Sequence, residues 1–118
     1  MLMTLFDQAA TSLQVGWLLT VSLPGEIDFI NASEVRDALG LALESGAAVL
    51  IADAAETTFC DCAGVRALVH AHRQATASAS CLRVATASRV MRRAIELAGA
   101  DQILDIYPTL AAATGSAP

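Results

Sequence analysis

Two thiols flanking a carboxylate, Cys60-Asp61-Cys62, then two small residues, Ala63-Gly64, form the stretch of this chain best equipped for chemistry. An apolar run, Ala47 to Ala52, precedes it and ends at Asp53, and the helical pattern Val65, Leu68, Val69, His72 follows it. That layout predicts a strand, a short loop, and an acid at the N-cap of a helix. Asp61 suits the cap, because its carboxylate can accept from the amides of residues 63 and 64 at the positive end of the helix dipole. Ala63 and Gly64 leave those first amides open to a partner. Such a helix start is either a plain cap or a presented surface, and local sequence alone favours the cap.

The thiols admit two readings. Cys62, near a helix N-terminus, gains a stabilised thiolate and could sense redox state. Against this, small buried hydrophobe is the commonest role of a free cysteine, and packing is the preferred reading for Cys60 and Cys62. A disulfide between residues two apart would be strained, so Cys81, at the start of a strand, is the other candidate partner if the fold brings it near. A C-x-C pair with no second ligand pair lacks the spacing of a zinc site, and neither metal nor cofactor is expected. Glu26, Asp28 and Asp61 could converge at one end of a sheet. Acid–base or magnesium chemistry would also need a pocket or nucleophile, and none is indicated.

The remaining polar candidates are weaker. His70 and His72 lie two apart on a helix and point to nearly opposite sides. His72 falls on the apolar stripe as a hydrogen-bonded core histidine, and His70 is exposed. Arg66, one turn into the helix, could meet an acidic partner group or simply be solvated. Thr57 and Thr58 offer hydroxyls just before the stretch. Arg89, Arg92 and Arg93 read as a solvated helix face, and Trp17 as core or edge packing.

These residues must be held by regular elements. Leu2 to Phe6 reads as a short edge strand and Gln8 to Ser12 as a turn. Val15, Trp17, Leu19, Val21 and Leu23 alternate with Gly16, Leu18, Thr20 and Ser22, which predicts one strand with a single strongly buried face. Pro24-Gly25 ends it. Asn31 or Ser33 caps a helix to about Glu44, with Val35, Ala38, Leu39, Ala42 and Leu43 as its buried stripe. Ala47 to Asp53 is a continuous apolar strand covered on both faces, and Ala54 to Thr58 a connecting loop. The second helix runs from Cys62 to about Ala77, followed by a strand at Leu82 to Ala85. Ser88 caps a third helix whose Val90, Met91, Ala94, Ile95 and Leu97 face inward, and Gly99 stops it. Ile103 to Ile106 makes a last short strand and Pro108 opens a final helix. A frayed tail is placed from Ala111 onward, with 114–118 outside the core. The order of elements predicts one α/β domain over 1–118.

Composition narrows the class. The 118 residues suffice for one core, and 55% of them are apolar, many of them Ala. The net charge is −5, with seven basic residues, all Arg. No basic run speaks for nucleic acid or an anionic membrane as a partner. The longest uncharged apolar stretch is too short to span a bilayer, and no charged start of a signal peptide is visible. A cytoplasmic location is expected, in keeping with an odd number of cysteines.

Four segments resemble a known family. Leu23-Pro24-Gly25-Glu26-Ile27-Asp28 is similar to the "GE(I/L)D" end of the second strand in STAS domains, the fold of bacterial anti-sigma factor antagonists. Val49 to Asp53 followed by Asp61-Cys62-Ala63-Gly64 resembles their strand and "DSSG" helix start. Arg89-Val90-Met91-Arg92-Arg93 through Gly99, and Ile103 to Tyr107, resemble the C-terminal helix and closing strand. The resemblance covers roughly residues 13 to 113 in the expected order.

It implies a mixed sheet of four or five strands with about four helices packed mainly on one face. It also implies a partner-switching protein in transcription rather than an enzyme, with binding favoured over catalysis: it binds an anti-sigma factor that is itself a serine kinase, and so frees a sigma factor. The contact surface carries over to Glu26, Asp28, Thr58, Asp61, Cys62, Ala63, Gly64 and Arg66. In the family the kinase phosphorylates the second serine of DSSG and breaks the complex. Here Cys62 and Ala63 replace the serines, and the Ala63 methyl cannot be phosphorylated. The expected behaviour is therefore phosphorylation-independent or redox-controlled. A STAS subunit of a lipid-transport ATPase complex and a cysteine-based redox sensor are the alternatives, and a homodimer is left open.

Overall fold

The computed structural model describes residues 12–15 and 17–115, with side chains from Trp17 onward. The expected edge strand at Leu2 to Phe6 lies outside the described residues. The chain runs β1 (Ser12–Val15), β2 (Leu18–Ser22), β3 (Glu26–Ile27), α1 (Ala32–Leu43), β4 (Val49–Asp53), β5 (Phe59–Cys60) and α2 (Cys62–Ala77). It continues through β6 (Cys81–Ala85), α3 (Arg89–Leu97), a 3-10 turn (Ala100–Gln102), β7 (Asp105–Tyr107) and α4 (Leu110–Gly115).

The main sheet has the order β1-β2-β4-β6-β7. β1 pairs antiparallel with β2, and the other neighbours are parallel. Each new parallel strand is added at the same edge. Right-handed crossovers then carry α1, α2 and α3 over one face. In-register rows Leu19–Leu50–Leu82 and Val21–Ala52–Val84 supply the sheet side of the core under those helices. Val35, Leu39 and Leu43 of α1, Leu68, Ala71 and Ala75 of α2, and Met91 and Ile95 of α3 close it from above. A mixed sheet of four or five strands with helices mainly on one face is expected, and the main sheet has five.

Several local expectations are corrected. The single alternating strand from Val15 to Leu23 is a hairpin, with Val15 opposite Leu18. Trp17, expected in core or edge packing, stands at the turn and is 44% exposed, outside the core. β2 is buried on both faces, since Leu18 and Thr20 are enclosed as well as Leu19 and Val21. For Leu18 the cover is α4, where the sequence predicts a frayed tail. It covers the second face, where Leu18, Val49, Ile51, Ala85 and Ala113 cluster with Cys81, Tyr107 and Leu110. On α3, Val90 and Leu97 are exposed, and only Met91 and Ile95 are buried.

Arg83 is a buried charge on that second face. It is 3% exposed, its Nη1 donates to the Ala113 carbonyl at 2.6 Å, and its guanidinium lies over the Tyr107 ring. A cation at the last carbonyls of a helix answers the negative end of the helix dipole, so β6 pins α4 to the sheet. Replacing Arg83 by Met keeps much of the stem but removes that bond. A loss of about 1.5–3 kcal/mol is expected in urea unfolding, with faster amide exchange in α4.

Candidate functional site

Because β2, β4 and β6 run in parallel with Ser22, Asp53 and Ala85 in one row, their C-terminal ends share one edge of the sheet. The segments 23–31, 54–61 and 86–88 all emerge there. Two of them form a second, two-stranded sheet that the sequence reading missed: β3 and β5 pair in parallel, Glu26 with Phe59 and Ile27 with Cys60. The loops are laced to it by their own polar groups. Thr57 donates its hydroxyl to the Pro24 carbonyl at 2.7 Å, the Thr58 amide donates to Gly25 at 2.8 Å, and the Asn31 side chain donates to Glu26 at 2.8 Å.

Asp61 is the centre of this cluster. It is the N-cap of α2, as expected, with Oδ1 accepting from the Gly64 amide at 3.0 Å. Its Oδ2 accepts from the Phe29 amide at 3.0 Å, and its own amide donates to Ile27. One carboxylate thus ties the loop after β3 to the start of α2. Asp28 is engaged in a tight turn, its Oδ1 accepting from the Ile30 amide at 2.9 Å and the Asn31 amide at 3.3 Å. Both acids act as joints of the scaffold. Glu26 is exposed beside them, and no group of three or more His, Cys, Asp or Glu among the described residues could hold a metal.

The residues carried over from the resemblance gather here, with different orientations. Glu26, Thr58, Cys62 and Arg66 are exposed, Asp28, Asp61 and Ala63 are half-buried, and Gly64 is buried. Gly64 does not leave its amide open to a partner, since that amide is bonded to Asp61. Its small size serves a close approach: a Cβ there would stand 2.6 Å from Cys60 Sγ and 2.8 Å from Ile27 Cγ2. Around this centre lie apolar side chains that sequence reasoning did not select: Phe29 is 78% exposed, Ile30 73% and Phe59 46%. The signal was available in Phe29-Ile30, an apolar pair between a turn-forming Asp28 and the helix that follows it.

The cysteines separate. Cys60 is buried in the main core beneath α2, and Cys62 is exposed on its first turn. Cys81 packs on the α4 face, on the other side of the sheet. It also follows the far end of α2, whose 16 residues span about 24 Å. The fold therefore does not bring Cys81 to Cys62. Burial, with the Asp61 carboxylate adding to it, pushes the Cys60 thiol up to about 12. Since this folded value lies above the ordinary 9.0, the stability linked to Cys60 is complete below about pH 9 and falls away as pH climbs toward 12. Alkylation at pH 8 is expected to label Cys62 promptly and to leave Cys60 unmodified until the protein unfolds, as read by peptide mass spectrometry.

The histidines divide as well. His70 is exposed, as expected. His72 is half-buried, but its Nδ1 is enclosed without a hydrogen-bond partner among the described residues, unlike the satisfied core histidine anticipated. No helix among the described residues is long and apolar enough to cross a membrane.

The comparisons with known proteins agree with this architecture. The family model of the STAS domain matches residues 9–113. The chain belongs to the STAS domain family. Among solved structures, an anti-sigma factor antagonist from Mycobacterium paratuberculosis is similar at 25% identity and a TM-score of 0.79, over 91% of this chain and 92% of that one. The anti-sigma factor antagonist SpoIIAA in its unphosphorylated form is 19% identical with a TM-score of 0.71, over 93% of this chain and 100% of that one. An anti-sigma-factor antagonist (STAS) domain protein from Planctomyces limnophilus is 11% identical with a TM-score of 0.75, over 88% and 92% of the two chains. A search of curated proteins finds no significant match.

Proposed function

We propose that this STAS protein is an anti-sigma factor antagonist that docks through the start of α2 and the loops around it, and thereby frees a sigma factor. The observation that carries the reading is the Asp61 joint. It holds the Phe29 loop against the first turn of α2, so that Phe29, Ile30, Cys62 and Arg66 are presented on preformed, hydrogen-bonded backbone. Preorganised loops with exposed apolar anchors favour tight association, because little ordering entropy remains to be lost on binding. The antagonist from M. paratuberculosis, similar over almost the whole chain, supports the same role. Binding is favoured over catalysis because both oxygens of Asp61 are taken by backbone amides.

The anti-sigma factor we infer is of the serine-kinase type, and Ala63 sets how the complex is controlled. Ala63 lies half-buried on the first turn of α2, where the resemblance to the family's helix start implies a phosphoacceptor. A phosphate there would add roughly −1.5 to −2 charge beside Asp61 and disrupt an apposed surface. The methyl group cannot receive it, so the protein stays in the binding-competent form. Exposed Cys62 is a group at this surface open to covalent control. Calorimetric titration into the anti-sigma kinases of the same genome is expected to find saturable binding to one of them. Failure to bind any would contradict the reading and bring the transport-subunit alternative forward.

A further inference from the structure

The exposed face of α2 has a charge character opposite to that of the chain. The protein carries a net charge of −5, yet α2 contains no acidic residue. Its exposed positions Cys62, Arg66, His70 and Arg73 recur at helical spacing and form one stripe down the helix. Ala32 and Arg36 of α1 flank it on one side, and Ala98, Ala100 and Ile103 on the other, so that α2 floors an open groove lined by three arginines and no carboxylate. Arg66 and Arg73 have no carboxylate within ion-pair distance among the described residues, and Arg36 meets only exposed Asp37, at 3.8 Å. Asp37 and Glu44 line a separate shallow depression toward the other end of α1, shared with Arg36, His70 and Gln74. Between the cations lie apolar contacts, among them Phe29, Val69 and Ile103.

We propose that this groove receives an acidic amphipathic helix of the partner protein. Arg66 and Arg73 lie seven residues apart, about 10.5 Å along α2. A helix laid in the groove would oppose them with carboxylates at i and i+7, and Arg36 with a third from the intervening turn. An apolar ridge on the same helix would meet Val69 and Ile103. Helix-in-groove docking of this kind takes its affinity from the apolar ridge and its register from the flanking charges. A flat lipid surface cannot enter a recess bounded on both sides. The inference rests on the reading of this end of the molecule as the docking surface, and it names the chemistry of what docks there.

The test uses a synthetic helical peptide with glutamates at i, i+4 and i+7 and leucines between them, titrated into the whole protein and followed by amide chemical shifts. Saturable shifts are expected in 29–36, 62–73 and 98–103, with weakening as salt is raised. The double variant Arg66→Glu/Arg73→Glu should bind at least about tenfold more weakly, and Arg66→Gln/Arg73→Gln should fall between. Arg92→Glu/Arg93→Glu, on α3, should bind like the parent. Equal binding by the α2 variant, shifts centred on Arg89 to Arg93, or capture by anionic-lipid vesicles but not by the peptide would each overturn the proposal. The same α2 variant titrated into the anti-sigma kinase separates the two readings. If the kinase binds parent and variant equally, the antagonist role stands and the acidic-helix proposal falls. If no kinase binds the parent, the antagonist role falls and the peptide still decides the groove.

Discussion

Gly64→Ala is expected to destabilise the protein by about 2 kcal/mol, although alanine is the better helix former. The added methyl would meet Cys60 Sγ at 2.6 Å and the Ile27 side chain at 2.8 Å. Both neighbours are enclosed, Ile27 fully and Cys60 to within 4%, and both sit on the two-stranded sheet that carries the proposed docking loops. The start of α2 must therefore lift away from β3 and β5, straining the Asp61 bonds to Gly64 and Phe29. Urea unfolding should show the midpoint falling with little change in slope. The double variant Cys60→Ala/Gly64→Ala removes the nearer obstacle and should recover part of the loss. A double-mutant coupling near zero would mean that the close approach at Gly64 does not position α2.

The largest expected effect on binding comes from Ala63. Ala63→Glu places a carboxylate at the first turn of α2, two residues from Asp61, on the surface assigned to the partner. Its effect on stability should be small, because an acid in the first turn of a helix is tolerated or favoured. Affinity for the anti-sigma factor should fall by about a hundredfold, since an uncompensated charge must be desolvated against an apposed face. Ala63→Ser should bind like the parent until the kinase acts, and should gain a phosphate in the presence of ATP, seen as an added mass on the peptide that carries residue 63. Unchanged affinity for the Ala63→Glu variant would place the docking surface elsewhere.

What could be read from the sequence divides along physical lines. The Asp61 cap and the extent of α2 were legible because a cap and a helical period are local signals, set by neighbouring residues. The buried strand β4 was legible as an unbroken apolar run, and β6 as a short strand between a turn and a helix cap despite its central Arg83. The β3–β5 pairing was not, because two-residue strands have no period and exist only through a partner more than thirty positions away. The β1–β2 hairpin was hidden by alternation that continues through the turn at Trp17. Burial of Leu18 was missed because its cluster includes Ala113 of α4, a short helix held by the Arg83 contact rather than by a strong pattern of its own. Val90 and Leu97 show the converse. Both fit a helical stripe, yet they flank the core without entering it. At the site, the identity of the helix start was readable, while the second bond of Asp61 and the exposed Phe29-Ile30 pair required the fold.

The central claim is that the start of α2 binds an anti-sigma kinase and, with Ala63 in place, is not released by phosphorylation. The most direct measurement is calorimetric titration of the parent and of Ala63→Ser into that kinase, each before and after incubation with magnesium and ATP. The account predicts that the parent binds equally well in both conditions, while Ala63→Ser binds before the incubation and loses its affinity after it. Loss of parent binding after ATP treatment, or an Ala63→Ser variant that stays bound and unmodified, would contradict it.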